Sequence, residues 1–210
     1  MYGCQVSYDL RVSTAPIRPR NPRGEGGRLR EQLLQATAEV LDEVGDASRC
    51  SVRAIAGRAG VSPTALYLHF PDRDSLVAAA VDAGFAAFDA ALRDAASEEA
   101  DPAERLEATA LAYLAFAERQ PALYAILFST RRPASPGGIE RSEGFAGLVA
   151  LLRARDPALE AEAARELAIA VWSSLHGFAI LRAARPELGW PSAERYVRRM
   201  LAAHSSGEAG

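Results

Sequence analysis

The chain contains no lysine: all 24 of its basic residues are arginine, set against 27 acidic residues for a net charge of −3. An acidic balance of this kind excludes a protein that coats nucleic acid or membrane indiscriminately. It also makes every cationic contact a guanidinium, planar and able to pair bidentately with phosphate or guanine. The lysine deficit and the wealth of alanine fit a GC-rich coding bias. Cysteine is nearly as scarce. Cys4 and Cys50 stand at no metal-ligand spacing and outside any C-x-x-C, so neither a zinc module nor a disulfide framework is expected. A redox role for Cys50 has only the lone thiol behind it. The three histidines, His69, His176 and His204, pair with no Ser or Cys nucleophile motif, and no H-E-x-x-H, Walker or G-x-G-x-x-G sequence occurs. Catalytic residues, a metal and a cofactor are therefore not expected. The start MYGCQVSYDL lacks the basic and apolar regions of a secretory signal. The most apolar stretch, Leu167 to Ala184, holds two Ser, a His and a Gly, and reads as a buried helix rather than a membrane span. No internal repeat is visible. These absences point to a cytoplasmic, globular, non-membrane protein.

What is present is ordinary in amount and uneven in placement. The 210 residues, 49% hydrophobic and 24% charged, suffice for one or two domains with a real core. Residues 1–76 carry 10 Arg against 9 acids and residues 77–210 carry 14 against 18, so the first part is net +1 and the second −4. Six of those arginines and only one acid fall within residues 11–30. The basic charge thus forms an arm ahead of the first helix. Residues 1–22, with Pro16, Pro19, Pro22 and no periodicity, are expected to be a disordered arm, either solvated or touching phosphates and the minor groove. A start codon assigned too early would also account for part of it.

The organising stretch is SVRAIAGRAGVSPTALYLHF, Ser51 to Phe70. Ser51 suits the N-cap of a helix from Val52 to Ala59, whose Val52, Ile55, Ala56 and Ala59 share one face. Gly60 can take the left-handed conformation that ends it. Val61 plugs the angle, Ser62 caps a second helix, and Pro63 fits its first position. Leu66 and Phe70 face inward, while Thr64, Ala65, Tyr67 and His69 lie elsewhere, and small Ala56 lets the helices cross closely. This is the layout of a helix-turn-helix, whose second helix enters the major groove, although an ordinary αα-hairpin with a Gly turn has the same spacing. A first helix from about Gly27 to Val44, with Leu29, Leu33, Thr37, Val40, Leu41 and Val44 inward, completes a three-helix unit.

The string AGRAGVSPTALYLHFPDRDSL closely resembles the helix-turn-helix signature of the tetracycline-repressor (TetR) family over roughly residues 28 to 80. In that signature, A-x-x-A-G-V-S-x-x-x-L-Y-x-H-F is followed by a polar turn and a basic residue, here Arg73. The resemblance implies an all-α, dimeric, mostly repressive DNA-binding protein with a divergent C-terminal ligand domain. It places Thr64 and Ala65 at base edges and Tyr67 and His69 at phosphates or sugars. Ser62 is a cap whose hydroxyl or N–H can also meet phosphate, and Arg53 and Arg73 are the best backbone-phosphate candidates, ahead of Arg58. The recognition helix has no Arg, Asn or Gln, so bidentate reading of guanine by this helix is in doubt.

The rest of the chain reads as helices with Pro and Gly punctuation, about nine in all. Helix 4, from Asp72 to about Ala95, carries Leu76, Val77, Ala80, Val81, Gly84, Phe85 and Phe88 inward and bridges the two halves. Ser97 to Asp101 is an acidic linker. Helix 5 opens at Pro102, and helix 6 spans Ala122 to Phe128. Arg131 to Gly138 is a loop, and helix 7 runs from about Ile139 to Ala154. Helix 8, from about Pro157 to Ala184, has two apolar faces, Leu167, Val171, Leu175 and Phe178 on one and Ile169, Trp172, His176 and Ile180 on the other, so it must be buried twice. Helix 9 spans Ser192 to about His204. The expected domains are therefore 1–22 (arm), 23–76 (DNA-binding, with the motif at about 50–69), 77–204 (ligand-binding and dimerisation) and 205–210 (tail).

W-S-S-L-H-G from Trp172 to Gly177 resembles a W-x-x-x-H-G motif of one C-terminal subclass of the family. His176 is either a pocket group that orients a ligand or a core histidine with an internal acceptor. Gly177 is expected to permit a close helix approach. Tyr113, Phe116, Tyr124, Phe128 and Trp172 are candidate ligand contacts, since aromatic side chains cluster there without inward Arg. Val171, Leu175, Phe178, Val197, Met200 and Leu201 are expected at a dimer interface. The expected function is a ligand-responsive regulator, a repressor released from pseudo-palindromic double-stranded operator DNA by a small apolar inducer. The alternative is an all-helical binding protein or enzyme with a vestigial helix-turn-helix.

Overall fold

The structure, a computed structural model, describes residues 26–97, 99, 101–128 and 143–205. The expected basic arm, the 131–138 loop, most of the polar tail and parts of the acidic linker lie outside the described residues. Among the described residues there are nine α-helices and no strand. The helices are α1 (Gly26–Val44), α2 (Val52–Ala59), α3 (Pro63–Tyr67), α4 (Arg73–Ser97), α5 (Pro102–Arg119), α6 (Pro121–Leu127), α7 (Glu143–Arg155), α8 (Ala161–Ala184) and α9 (Ala193–Ser205). A 3₁₀ turn, Ala47–Arg49, fills part of the loop between α1 and α2.

The boundaries follow from local chemistry. Asp46 accepts from the Ser48 N–H and starts the 3₁₀ turn. Asp101 caps α5 through the N–H groups of Ala103 and Glu104, and Pro102 stands where no donor is needed. Helix α8 begins at Ala161 rather than Pro157. Asp156 takes the Ala158 N–H on its side chain at 3.0 Å and the Leu159 N–H on its carbonyl at 3.1 Å, and Leu159 is buried. That Asx turn competes with a helical start.

The three N-terminal helices pack through Leu33, Ala36, Val40, Leu41, Ile55, Ala56, Leu66 and Phe70, all buried. Thr37 is buried with them, its hydroxyl donating to the Leu33 carbonyl at 2.7 Å. Helix α4 leaves this unit and runs into the second one, where it packs on α5, α6 and α7. By length and composition α4 and α8 could each cross a membrane. Here α4 is the shared spine, and α8 lies against α5, α7 and α9.

The structure keeps one expected apolar face of α8 inside and splits the other, with Trp172 and His176 turned inward and Ile169 and Ile180 exposed. Val171, Leu175 and Phe178 are interior to the single chain, as are Val197, Met200 and Leu201 of α9. All six expected dimer contacts are thus consumed by the chain's own core. A charge there would unfold the protein rather than part a dimer. The large apolar side chains of α8 that stay exposed are Ile169, Ile180 and Leu181. Gly177 has open space where a Cβ would stand, so it serves no close approach within the chain. Gly84 does, because a Cβ there would meet Leu127 Cδ2 at 3.2 Å.

Candidate functional site

The helix-turn-helix is built from caps that reach only three residues ahead. Ser51 Oγ accepts from the Ala54 N–H, and Ser62 Oγ from the Ala65 N–H, both at 3.2 Å. Between them Gly60 sits at φ 67°, which a residue with a Cβ adopts only at a cost, and the Val61 N–H closes back onto the Ala56 carbonyl at 3.0 Å. Leu66 and Phe70 point inward, and the opposite side of α3 is open. Thr64 is exposed, Ala65 and His69 are partly so, and Tyr67 retains 51% of its accessible surface. Leu68 is 80% exposed beside them. The sequence reading passed over it as the variable position of L-Y-x-H-F. An apolar side chain left in solvent at the end of α3 is the signal that could have marked it.

The arginines divide by occupation. Arg53 is exposed, with no ion pair or hydrogen bond among the described residues. Arg58 is spent on α1, pairing with Glu39 at 3.1 Å and with Glu43. Arg30 lays its guanidinium over the Phe70 ring, 5.2 Å from the centroid. Arg73 is a clasp: Nε donates to the Cys50 carbonyl at 2.7 Å, Nη2 to the Ala47 carbonyl, and Nη1 to Asp74 at 2.6 Å. All three of its nitrogens are engaged within the protein, fastening the loop before α2 to the first turn of α4. Cys50 is fully buried beneath it, and burial pushes its thiol pKa up against the pull of the Arg73 charge.

In the second unit a small, not fully enclosed apolar cavity of about 40 Å³ lies between α4, α5, α7 and α8. Tyr113, Phe128 and Trp172 line it, with Phe88 and Leu92 of α4 and Phe145 and Leu148 of α7. Sequence reasoning placed Phe88 in the core and did not connect it with a pocket. Its ring meets Tyr113, Phe116 and Phe128 edge-on at 5.2, 5.1 and 5.7 Å. Phe116 packs behind Phe88 and is not part of the cavity wall.

Tyr124 and His176 stand one layer further back, in a buried polar chain. The Tyr124 hydroxyl is 2.6 Å from His176 Nδ1 and 2.7 Å from the Tyr113 hydroxyl. Burial lowers the His176 pKa, which suits a neutral ring whose Nδ1 accepts from Tyr124. Burial likewise raises both tyrosines, Tyr113 to about 12, so both remain protonated donors. Tyr113 links this chain to the cavity surface.

Two side chains tie these parts together from a distance. Asp42 of α1 accepts at Oδ1 from the N–H groups of Ala122 and Leu123, at 3.1 and 2.9 Å, across the junction with α6. Asp89 of α4 takes the Gly144 N–H at the start of α7, and burial raises its pKa, aided by the nearby Glu143 charge. Arg93 pairs with Glu143 at 2.7 Å beside it.

Comparison with known proteins agrees over both units. Residues 33–80 match the family described as bacterial regulatory proteins, tetR family, and residues 106–204 match a tetracyclin repressor-like C-terminal domain. The nucleoid occlusion factor SlmA of Vibrio vulnificus (strain YJ016) is 34% identical over 109 residues, covering 49% of this chain and 56% of that protein. The chain thus spans about half the length of the curated relatives it matches. A protein of unknown function from Rhodococcus sp. RHA1 superposes with a TM-score of 0.70 at 27% identity, over 84% of this chain and 93% of the other. A TetR-like transcriptional regulator from the same organism has a TM-score of 0.66 at 22% identity, over 90% and 100%, a likeness of fold.

Proposed function

The chain belongs to the tetracycline-repressor family, and on that footing we propose that it is a DNA-binding transcriptional regulator, a cytoplasmic repressor that a small apolar effector releases from a pseudo-palindromic operator. The observation that carries this reading is the open face of α3, with Thr64, Tyr67 and Leu68 exposed on a doubly capped turn above a buried Leu66 and Phe70. A helix held this firmly, with its polar and apolar tips in solvent, is suited to lie in a major groove. Thr64, Ala65 and Leu68 supply methyl groups for thymine contact, and Tyr67, His69, Ser62 and Arg53 face backbone oxygens. Arg73 positions the unit from inside.

A palindromic site needs a two-fold protein. The outward face of α8, with Ile169, Ser173, Gly177 and Ile180 in one row, offers the apolar stripe for a second copy. The missing side chain at Gly177 leaves room for a neighbouring helix. The effector would enter the cavity beside Tyr113, Phe128 and Trp172, which must open to admit it, and Tyr113 would pass its polar demand to Tyr124 and His176. Family membership and the absence of any nucleophile motif support a regulator rather than an enzyme.

Selection from randomised duplex DNA tests this reading. Recovery of one inverted-repeat site, bound with an affinity that falls steeply as salt rises, is the expected result, because each neutralised phosphate contributes about −0.9 to the slope of log K against log salt. Binding without sequence preference, or none, would leave an all-helical ligand-binding protein as the better description.

A further inference from the structure

The cavity between α4, α5, α7 and α8 is walled without charge: none of the described residues that line it is ionised at neutral pH. The polar side chains among them are Thr109, Tyr113 and Trp172. Thr109 gives its hydroxyl proton to the Arg105 carbonyl at 2.7 Å. The Trp172 indole has only a donor to offer, and its N–H bears on the Tyr113 oxygen. What the wall can bind therefore turns on where the Tyr113 proton goes.

Behind the wall, two hydroxyl protons are shared among three atoms. Tyr124 Oη is 2.6 Å from His176 Nδ1 and Tyr113 Oη is 3.3 Å from it, so the nearer Tyr124 gives its proton to the ring. Tyr113 then rests its proton on the Tyr124 oxygen, 2.7 Å away. That oxygen can lose the bond at little cost, because an oxygen with an idle lone pair is tolerated more readily than a buried donor without an acceptor. The Tyr113 proton can thus turn to an acceptor in the cavity. A ligand with only a donor would compete with Trp172 for the Tyr113 oxygen, and an ion would meet no opposite charge.

From this arrangement we propose that the effector is an uncharged molecule with a carbonyl-type acceptor, held by the Tyr113 hydroxyl and the Trp172 N–H. Tyr124 is its positioning residue: by satisfying His176 it keeps the imidazole from claiming the Tyr113 proton. The inference rests on the effector reading and names the chemistry of that site. It also gives the two side chains of W-x-x-x-H-G separate tasks, Trp172 at the ligand and His176 behind it.

Three probes of similar shape test it. Acetophenone carries the carbonyl, α-methylstyrene puts a methylene group in its place, and benzoate adds a negative charge. Binding is read from the indole N–H resonances of nitrogen-15-labelled protein. Trp172 and Trp190 are the two tryptophans of the chain, so Trp190→Phe identifies the Trp172 signal. At saturation acetophenone should carry the Trp172 indole proton downfield of its position with α-methylstyrene, as a new hydrogen bond does. Tyr113→Phe should weaken acetophenone about fivefold, as loss of one net hydrogen bond implies, and leave α-methylstyrene unchanged. Tyr124→Phe, which hands Nδ1 to the Tyr113 proton, should repeat that selective loss, and adding His176→Leu should reverse it. Benzoate should bind more weakly than acetophenone by about tenfold or more. Equal losses for the two neutral probes in Tyr113→Phe, or benzoate bound as tightly as acetophenone, would overturn the ligand class and leave a purely apolar effector site. So would a Trp172 proton that the carbonyl does not move, a result that needs no variant. Unchanged selectivity in Tyr124→Phe would overturn the positioning role. If neither neutral probe binds the natural chain, the effector reading of this cavity falls, and the inference with it, while the selection from duplex DNA judges the regulator reading separately.

Discussion

The helix caps of the helix-turn-helix and the hydrogen bonds around the cavity differ in reach. In the first, Ser51 caps Ala54, Ser62 caps Ala65 and Asp72 caps Ser75, each three residues away. Around the second, Tyr124 meets His176 across 52 residues, Tyr113 meets His176 across 63, and Asp42 meets Leu123 across 81. A surface shaped by local caps keeps its own form even as it moves as a unit, which suits a DNA-reading face. A cavity made of distant contacts shifts when any one of its walls shifts, as an effector site must. Rigidity and responsiveness are thus assigned to different parts by the sequence distance over which each is closed.

The contrast can be broken first at Phe88, the hub of the aromatic cluster. Phe88→Ala should destabilise the protein by about 3–5 kcal/mol, read as a fall in thermal midpoint, since a large buried ring is removed. The local caps of the surviving folded fraction should be unaffected, with amide exchange at Ala54 and Ala65 unchanged, and a parallel acceleration there would show that the caps depend on the aromatic cluster. Next comes Arg73→Ala, which removes the side-chain donor from the Cys50 carbonyl and leaves the Ala47 carbonyl only the Cys50 N–H at 3.3 Å. It should cost roughly 1–3 kcal/mol in denaturant unfolding, whereas Arg53→Ala should cost nothing there and instead reduce the salt slope of DNA binding by about one unit. Ser62→Ala should then lose about 1 kcal/mol from a missing cap, with the loss confined to the reading surface in amide exchange. The smallest effect is a pH dependence. His176 titrates below the usual 6.5 in the folded chain, so as pH falls below 6.5 the unfolded chain takes up the proton first. Stability should be flat above that point and decline as pH falls toward the folded value. Subtracting a His176→Gln profile from that of the natural chain should isolate the decline.

The same difference in reach explains what could be read in advance. Ser51, Gly60, Ser62 and Pro63 announce α2 and α3 to the residue because their partners are neighbours in sequence, and the inward Leu66 and Phe70 follow from helical spacing. Arg73 was expected at a phosphate, and its clasp on the carbonyls at 47 and 50 went unseen because those partners leave no mark in residue type. For α8 the pattern showed two apolar faces but not how much of each the chain would keep, since that depends on α5, α7 and α9 arriving against it. Hence the expected dimer contacts Val171, Leu175 and Phe178 proved interior. Within the expected ligand set, Tyr113, Phe128 and Trp172 reach the cavity. Phe116, Tyr124 and His176 share their aromatic or polar character and stand behind it. The contact of Asp42 with α6 was invisible, because one aspartate on an amphipathic helix looks like any other.

The buried Cys50 turns the Arg73 clasp into a clock. Its thiol is fully buried in the core, beside the arginine that its own backbone carbonyl holds, so an alkylating reagent reaches the sulfur only when this part of the unit opens. With Cys4, the other cysteine of the chain, replaced by serine, the rate of thiol modification at saturating reagent counts those openings directly. A DNA-reading module can therefore be timed from inside, without a label, and compared free and bound.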